Sequence, residues 1–279
     1  MPAQKLHRSD WKEGTVYLFQ FPRAKHIPSP SPFSLKLETW LRINDIPYEN
    51  VSTEFKKTSS KGQVPFIEFN GRQIGDSNQI IPFLTKELNK ETVDTRLSKE
   101  DQAYRQAFHH LLENSIFWAI VANRKETADF FFTEDGMLGH FSGIKKTLTQ
   151  HIGPVAFKRK LKNMSHVQGY GRNTVYELEE QMIKDLDALS TFLGSKHYFF
   201  GNEPSSLDVT AFGQLCQVLY TPLVTKGVVP HMHEHNKNLV DFVERIKAHY
   251  WPDWERATSA LNFSSDWKHV EPIAEKVAP

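Results

Sequence analysis

The segment Lys61-Gly62-Gln63-Val64-Pro65-Phe66-Ile67-Glu68-Phe69-Asn70-Gly71-Arg72-Gln73-Ile74-Gly75-Asp76-Ser77 constrains what this chain can fold into more than any other. Phe66 to Phe69 is a short apolar run, and Asn70-Gly71 is the pair that best supplies the positive φ angles of a type I′ turn. The spacing predicts a β-hairpin, with Gln73 and Ile74 opening the return strand. Pro65 stands at the first position of the outgoing strand, where a missing N–H does least harm. A cis bond before it would turn the Val64 amide and carbonyl out of the sheet, free to pair with an extended peptide. Asp76 and Ser77 precede Ile80, Ile81, Phe83 and Leu84, the apolar face of a helix that the polar pair can cap. Such a helix start, carrying Ser77 and free amides, suits a carboxylate.

The flanking sequence gives the hairpin its setting. Val16-Tyr17-Leu18-Phe19-Gln20-Phe21 reads as a buried strand. Prolines between Pro22 and Pro32 then keep the backbone extended. Ser31 is a good N-cap and Pro32 a good first residue for a helix that carries Leu35, Leu37, Trp40 and Leu41 inward. That helix stops at Asn44-Asp45-Ile46-Pro47, before a second strand at Tyr48-Glu49-Asn50-Val51. Strand, helix, strand, hairpin and helix make the βαβ-ββα order of a thioredoxin-like domain. Beyond the polar stretch Glu91 to Lys99 strand signals vanish. Helical patterns cover Leu97 to Asn123, then Thr127 to Leu161 with interruptions at Gly136, Gly139 and Gly153-Pro154. Two capping boxes, Thr174 with Glu177 and Ser205 with Asp208, open further helices, and the last long one runs from Asn238 to Tyr250. The expected class is α+β. A polar, mobile tail (1–14) precedes a thioredoxin-like domain (15–90), a linker (91–97), an all-helical domain (98–258) and a C-terminal tail (259–279).

Over 279 residues, 34 Lys and Arg offset 33 Asp and Glu, so no overall charge draws the chain to nucleic acid. A single cysteine excludes a disulfide framework and fits a reducing compartment. No apolar run is long enough to span a bilayer, and Met1 to Lys12 lacks the apolar stretch of a secretory signal. The expectation is a cytoplasmic protein.

Further segments sharpen the picture. Tyr17-Leu18-Phe19-Gln20-Phe21-Pro22-Arg23, Leu37-Glu38-Thr39-Trp40-Leu41-Arg42, Gly169-Tyr170-Gly171-Arg172 and Tyr250-Trp251-Pro252-Asp253-Trp254 resemble the failed axon connections family, over roughly residues 15–256. That family is a metaxin-related branch of the glutathione S-transferase superfamily. The resemblance implies a glutathione-transferase-like fold, with Gln63, Val64, Pro65, Asp76 and Ser77 holding glutathione. It implies conjugation to an apolar electrophile, or else a catalytically silent module with a protein partner, in either case with a possible homodimer.

Ser31-Pro32-Phe33-Ser34 occupies the place where related dithiol proteins carry cysteines. Both positions are hydroxyls and Cys216 lies in an apolar helix of the other domain, so disulfide exchange is not expected. Two readings fit Ser31 equally: a hydrogen-bond donor to the glutathione sulfur, as in serine-type transferases, or a plain helix cap. Ser205 and Asp208 read as a structural capping box. His231-Met232-His233-Glu234-His235 matches no metal-ligand spacing and reads as a solvated loop; no metal is expected.

Overall fold

The structure, a computed structural model, describes residues 6–269. Strand β1 (Val16–Gln20) is buried along its whole length, which its unbroken apolar and aromatic run requires. It pairs in parallel with β2 (Tyr48–Ser52) and antiparallel with β3 (Phe66–Phe69), and β3 forms a hairpin with β4 (Arg72–Gly75), giving the order β2-β1-β3-β4. Helix α1 (Pro32–Ile43) makes the crossover between the parallel strands, and α2 (Ser77–Glu87) follows the hairpin. The segment before β1 lies along the sheet: the His7 and Arg8 amides donate to the Glu68 carboxylate, and the Gly14 amide to Asn70 Oδ1.

Helices make up the remainder: α3 (Val93–Arg96), α4 (Lys99–His110), a π-helical turn (Leu111–Ile116), α5 (Phe117–Thr127), α6 (Gly143–Gln168), α7 (Val175–Leu193), α8 (Ser206–Tyr220), α9 (Val228–His235), α10 (Lys237–Tyr250) and α11 (Trp254–Thr258). Leu112, Ile116, Leu186, Phe212, Leu215 and Phe242 lie at the centre of their shared core. α1 is buried on nearly every side because α8 packs on the face that the sheet leaves free. Gly213 makes that approach possible: a Cβ there would stand 2.4 Å from the Pro32 carbonyl oxygen. Helix α1, and with it Ser31 and Lys36, is thereby fixed between the sheet and the helical domain.

Several local expectations are corrected. The stretch Glu91 to Lys99 contains the turn α3, and the long helix after it begins at Lys99 rather than Leu97. α6 runs straight through Gly153-Pro154 to Gln168; Gly153 has Phe132 lying on it, 2.3 Å from where a Cβ would be, and that packing outweighs the proline. The histidine cluster is helix α9, not a loop. It is held by Val228 and Met232 in the core and by His231 Nε2 against Asp187 Oδ1 at 2.7 Å. Among the described residues no group of His, Cys, Asp or Glu side chains is arranged to hold a metal ion.

Candidate functional site at the hairpin and the start of α2

Asn70 and Gly71 have φ of +45° and +76°, the two positive values that the tight turn demands. With that turn set, the register runs from Phe69 opposite Arg72 to Phe66 opposite Gly75. The Asp76 amide meets the Pro65 carbonyl at 3.4 Å. The Val64–Pro65 peptide bond is cis, as expected. The Val64 amide and carbonyl make no hydrogen bond among the described residues. Val64 and Ser77 thus each adjoin, along the chain, the Pro65–Asp76 contact that ends the hairpin.

Asp76 has φ of +81°, a region where a non-glycine residue is strained, and its Oδ1 caps α2 by accepting from the Asn78 amide at 3.0 Å. Ser77 is the first helical residue, 1% exposed, and its hydroxyl has no hydrogen-bond partner. A buried hydroxyl without a partner costs about 1–3 kcal/mol, a cost that a ligand acceptor at this position would offset. Gln63 precedes Val64, its main chain bonded to Ser59 and the residue exposed.

Behind the start of α2 lies a polar cluster that the sequence reading missed. Lys36 Nζ on α1 donates to Asn78 Oδ1 at 2.5 Å and to Glu113 Oε1 at 2.8 Å. Glu113 Oε2 accepts from Asn78 Nδ2 at 2.6 Å and lies 3.1 Å from His109 Nε2. The π-helical turn turns Glu113 inward, a use of that irregularity often met at functional sites. Burial alone would raise the Glu113 pKa; hydrogen bonds and charge from His109 and Lys36 outweigh it and bring it to about 2. Burial lowers the Lys36 pKa, with Glu113 opposing. The available signal was Lys36, set among Leu35, Leu37, Trp40 and Leu41 in a helix whose residues are nearly all buried, so that its amine needs an anion.

Ser31 caps α1, its Oγ accepting from the Ser34 amide at 3.3 Å, and is 7% exposed. The proline-rich segment before it is tied down. Arg124 donates to the Pro30 carbonyl at 2.8 Å, Gln217 to the Ser29 carbonyl at 3.1 Å, and Arg23 to the Pro28 carbonyl at 3.1 Å. Asp76 is bonded to Pro65, with Ser77 and Val64 next to them in the chain, while Ser31 caps α1 beneath a closed segment. Ser205 and Asp208 sit elsewhere, in the helical core. Asp208 accepts from the Ser205 amide at 2.8 Å and from the Phe199 amide at 2.9 Å, both bonds buried.

Three of the segments that carried the family resemblance, those holding Arg23, Glu38 with Arg42, and Trp251 with Asp253, meet in a buried seam between the domains. Arg23 grips Glu38 bidentately, both contacts at 2.7 Å, and Arg42 joins Asp253 at 2.5 and 3.1 Å. The Arg42 guanidinium lies 3.5 Å over the Trp251 ring, and Trp251 Nε1 donates to Thr39 Oγ1 at 3.0 Å. Burial would push the Glu38 carboxyl up, but Arg23 and Arg42 hold it well below the usual carboxylate range. These residues hold the two domains in register.

Comparison with known proteins agrees with this architecture. Residues 32–129 match the glutathione S-transferase N-terminal domain and 182–246 the glutathione S-transferase C-terminal domain. A glutathione S-transferase of Ceriporiopsis subvermispora, solved in complex with glutathione, superposes with a TM-score of 0.58 at 15% identity, covering 84% of this chain and 96% of that one. Metaxin-2 of Mus musculus is 23% identical over 88% of this chain and 91% of its own length. The isoprene-epoxide glutathione S-transferase of a Rhodococcus strain is 28% identical over 84% of this chain and 99% of its own. Failed axon connections of Drosophila melanogaster is 35% identical over 97% of this chain and 67% of its own length. The chain belongs to the failed axon connections family, a metaxin-related branch of the glutathione S-transferase superfamily.

Proposed function

We propose that this protein binds glutathione at the mouth of the β3–β4 hairpin. The reading rests on one observation above all: the buried Ser77 hydroxyl has no partner, next in the chain to the Asp76–Pro65 contact beyond which the Val64 main chain is also unbonded. In the bound state the Val64 amide and carbonyl would pair with the cysteinyl backbone of the tripeptide. The Ser77 hydroxyl and the amides opening α2 would receive the γ-glutamyl carboxylate, where the helix dipole also favours an anion. Gln63 and Asp76 would flank this group. The solved relative from Ceriporiopsis subvermispora carries glutathione, which supports the same ligand class here.

Conjugation is a further step. If it occurs, Ser31 is the residue assigned to it: its hydroxyl would donate to the glutathione sulfur, favour the thiolate and so speed attack on an apolar electrophile. The burial of Ser31 under the segment held by Arg124 and Gln217 favours the other reading, a glutathione-binding module whose output is a protein contact. Calorimetric titration with glutathione tests the binding claim, with Ser77→Ala expected to weaken affinity by about tenfold, or 1.4 kcal/mol. Absence of binding at millimolar glutathione would refute it. A turnover assay with an aromatic halide separates the two outputs: activity lost in Ser31→Ala supports conjugation, and no activity in the wild type supports the module.

A further inference from the structure

Helix α6 presents to solvent a face that the fold does not use. Its inner side is spent on the core through Gly153, Leu161 and Ser165. On the outer side Ile144, Leu148, Ile152 and Val155 recur at intervals of four, four and three residues, so they form one stripe. They are 81%, 53%, 60% and 70% exposed, unusual for aliphatic side chains aligned on one element. The same face continues toward the C-terminus as Arg159, Lys162 and His166, with Lys160 beside them, all exposed. Over its 26 residues α6 holds no Asp or Glu, whereas the chain as a whole is close to neutral.

The charges on this helix fall into two groups. Lys145, Lys146 and Lys158 are paired, with Glu54, Glu134 and Glu126. Arg159, Lys160 and Lys162 form no ion pair among the described residues, so three cations stand together without a counter-charge. An aliphatic stripe that runs into an unneutralised basic patch, on a helix about 27 Å from Ile144 to Lys162, fits a flat partner that is apolar beneath an anionic surface. A folded acidic protein would offer the charge without the flat apolar layer.

We propose that α6 docks this protein peripherally on membranes rich in anionic lipid, Ile144, Leu148, Ile152 and Val155 entering the headgroup–acyl boundary while Arg159, Lys160 and Lys162 meet the lipid phosphates and carboxylates. No described helix is long and apolar enough to cross a membrane, so the attachment is reversible and depends on salt. It does not depend on the glutathione reading.

Flotation of the full chain with phosphatidylcholine vesicles, with and without phosphatidylserine, tests the proposal. The chain should float with the phosphatidylserine vesicles, stay behind with the neutral ones, and be released by added salt. Arg159→Glu/Lys160→Glu/Lys162→Glu should lower the partition at least tenfold. Ile144→Ser/Leu148→Ser/Ile152→Ser should do the same. All these side chains are exposed, so unchanged melting curves will show that the variants are folded. A wild type that stays in solution overturns the proposal, as does binding that both variants retain. Retention on soluble polyglutamate with no vesicle binding overturns it in favour of an acidic protein partner. A dimer that the serine variant dissociates, again without vesicle binding, overturns it in favour of a second copy of this chain.

Discussion

Ser77 and Asp208 are both buried polar residues near a helix start, yet they answer to different demands. Asp208 has its donors inside the fold: removing its carboxylate strands the Ser205 and Phe199 amides in the helical core. Each buried donor left without an acceptor costs about 1–3 kcal/mol, and in a chain this long each kcal/mol moves the melting temperature by roughly 2–4 °C. Asp208→Ala is therefore expected to lower the melting temperature by several degrees while glutathione affinity stays unchanged, as calorimetry on both properties will read. Ser77 has no such partner, so Ser77→Ala should behave in the opposite way, with stability kept or slightly raised and affinity reduced. Ser31 stands between them. Its cap contributes on the order of 1 kcal/mol, and Ser31→Ala should show that loss in a denaturant titration whether or not the hydroxyl ever meets a sulfur.

At the scale of elements, α1 links the domains: Glu38 and Arg42 enter the seam with Arg23 and Asp253, and Lys36 enters the cluster with Asn78 and Glu113. Removing one partner of a buried pair leaves a bare charge, at a cost of about 3–5 kcal/mol. Glu38→Gln should accordingly destabilise far more than an exposed change such as Arg72→Gln. The Glu113 cluster also predicts a pH dependence. Its folded pKa of about 2 lies below the ordinary value of 4.5, so the stabilisation is fully present above pH 4.5 and is lost as pH falls toward 2. The amplitude is up to about 3 kcal/mol. Burial of Lys36 opposes the pair's net gain but adds no slope in that range, since the lysine stays charged there. Denaturant titrations at successive pH values should show the fall, and Glu113→Gln should flatten it.

Alternation and turn chemistry made the hairpin, the caps at Ser31 and Thr174 and the order of strands legible in the sequence, because those features are set within a few residues. The Asp208 box was legible for the same reason. What could not be read was whatever depends on distant contacts. Glu113 faces Lys36 only because a π-helical turn rotates it, and His231 is helical because Val228 and Met232 reach a core built by α7 and α10. Arg23, Glu38, Arg42, Trp251 and Asp253 were noticed as motif letters; that they meet each other is a tertiary fact spanning more than 200 residues.

For the molecule as a whole, the two domains form a fixed frame whose seam is charged and fully buried, with the candidate ligand site at the hairpin and the bare face of α6 on the helical domain. The frame explains how the Val64 main chain can stay unpaired while Ser31 is covered by the segment that Arg124 and Gln217 hold. It also predicts that ligand binding will stabilise the chain without rearranging it, raising the melting temperature with glutathione concentration. The central claim is the location of that ligand, and amide chemical shifts followed by NMR during a glutathione titration test it most directly. Saturable shifts centred on Val64, Ser77 and Asn78, and absent in Ser77→Ala at the same concentrations, are the predicted result. Shifts centred elsewhere, or none up to millimolar glutathione, would contradict it.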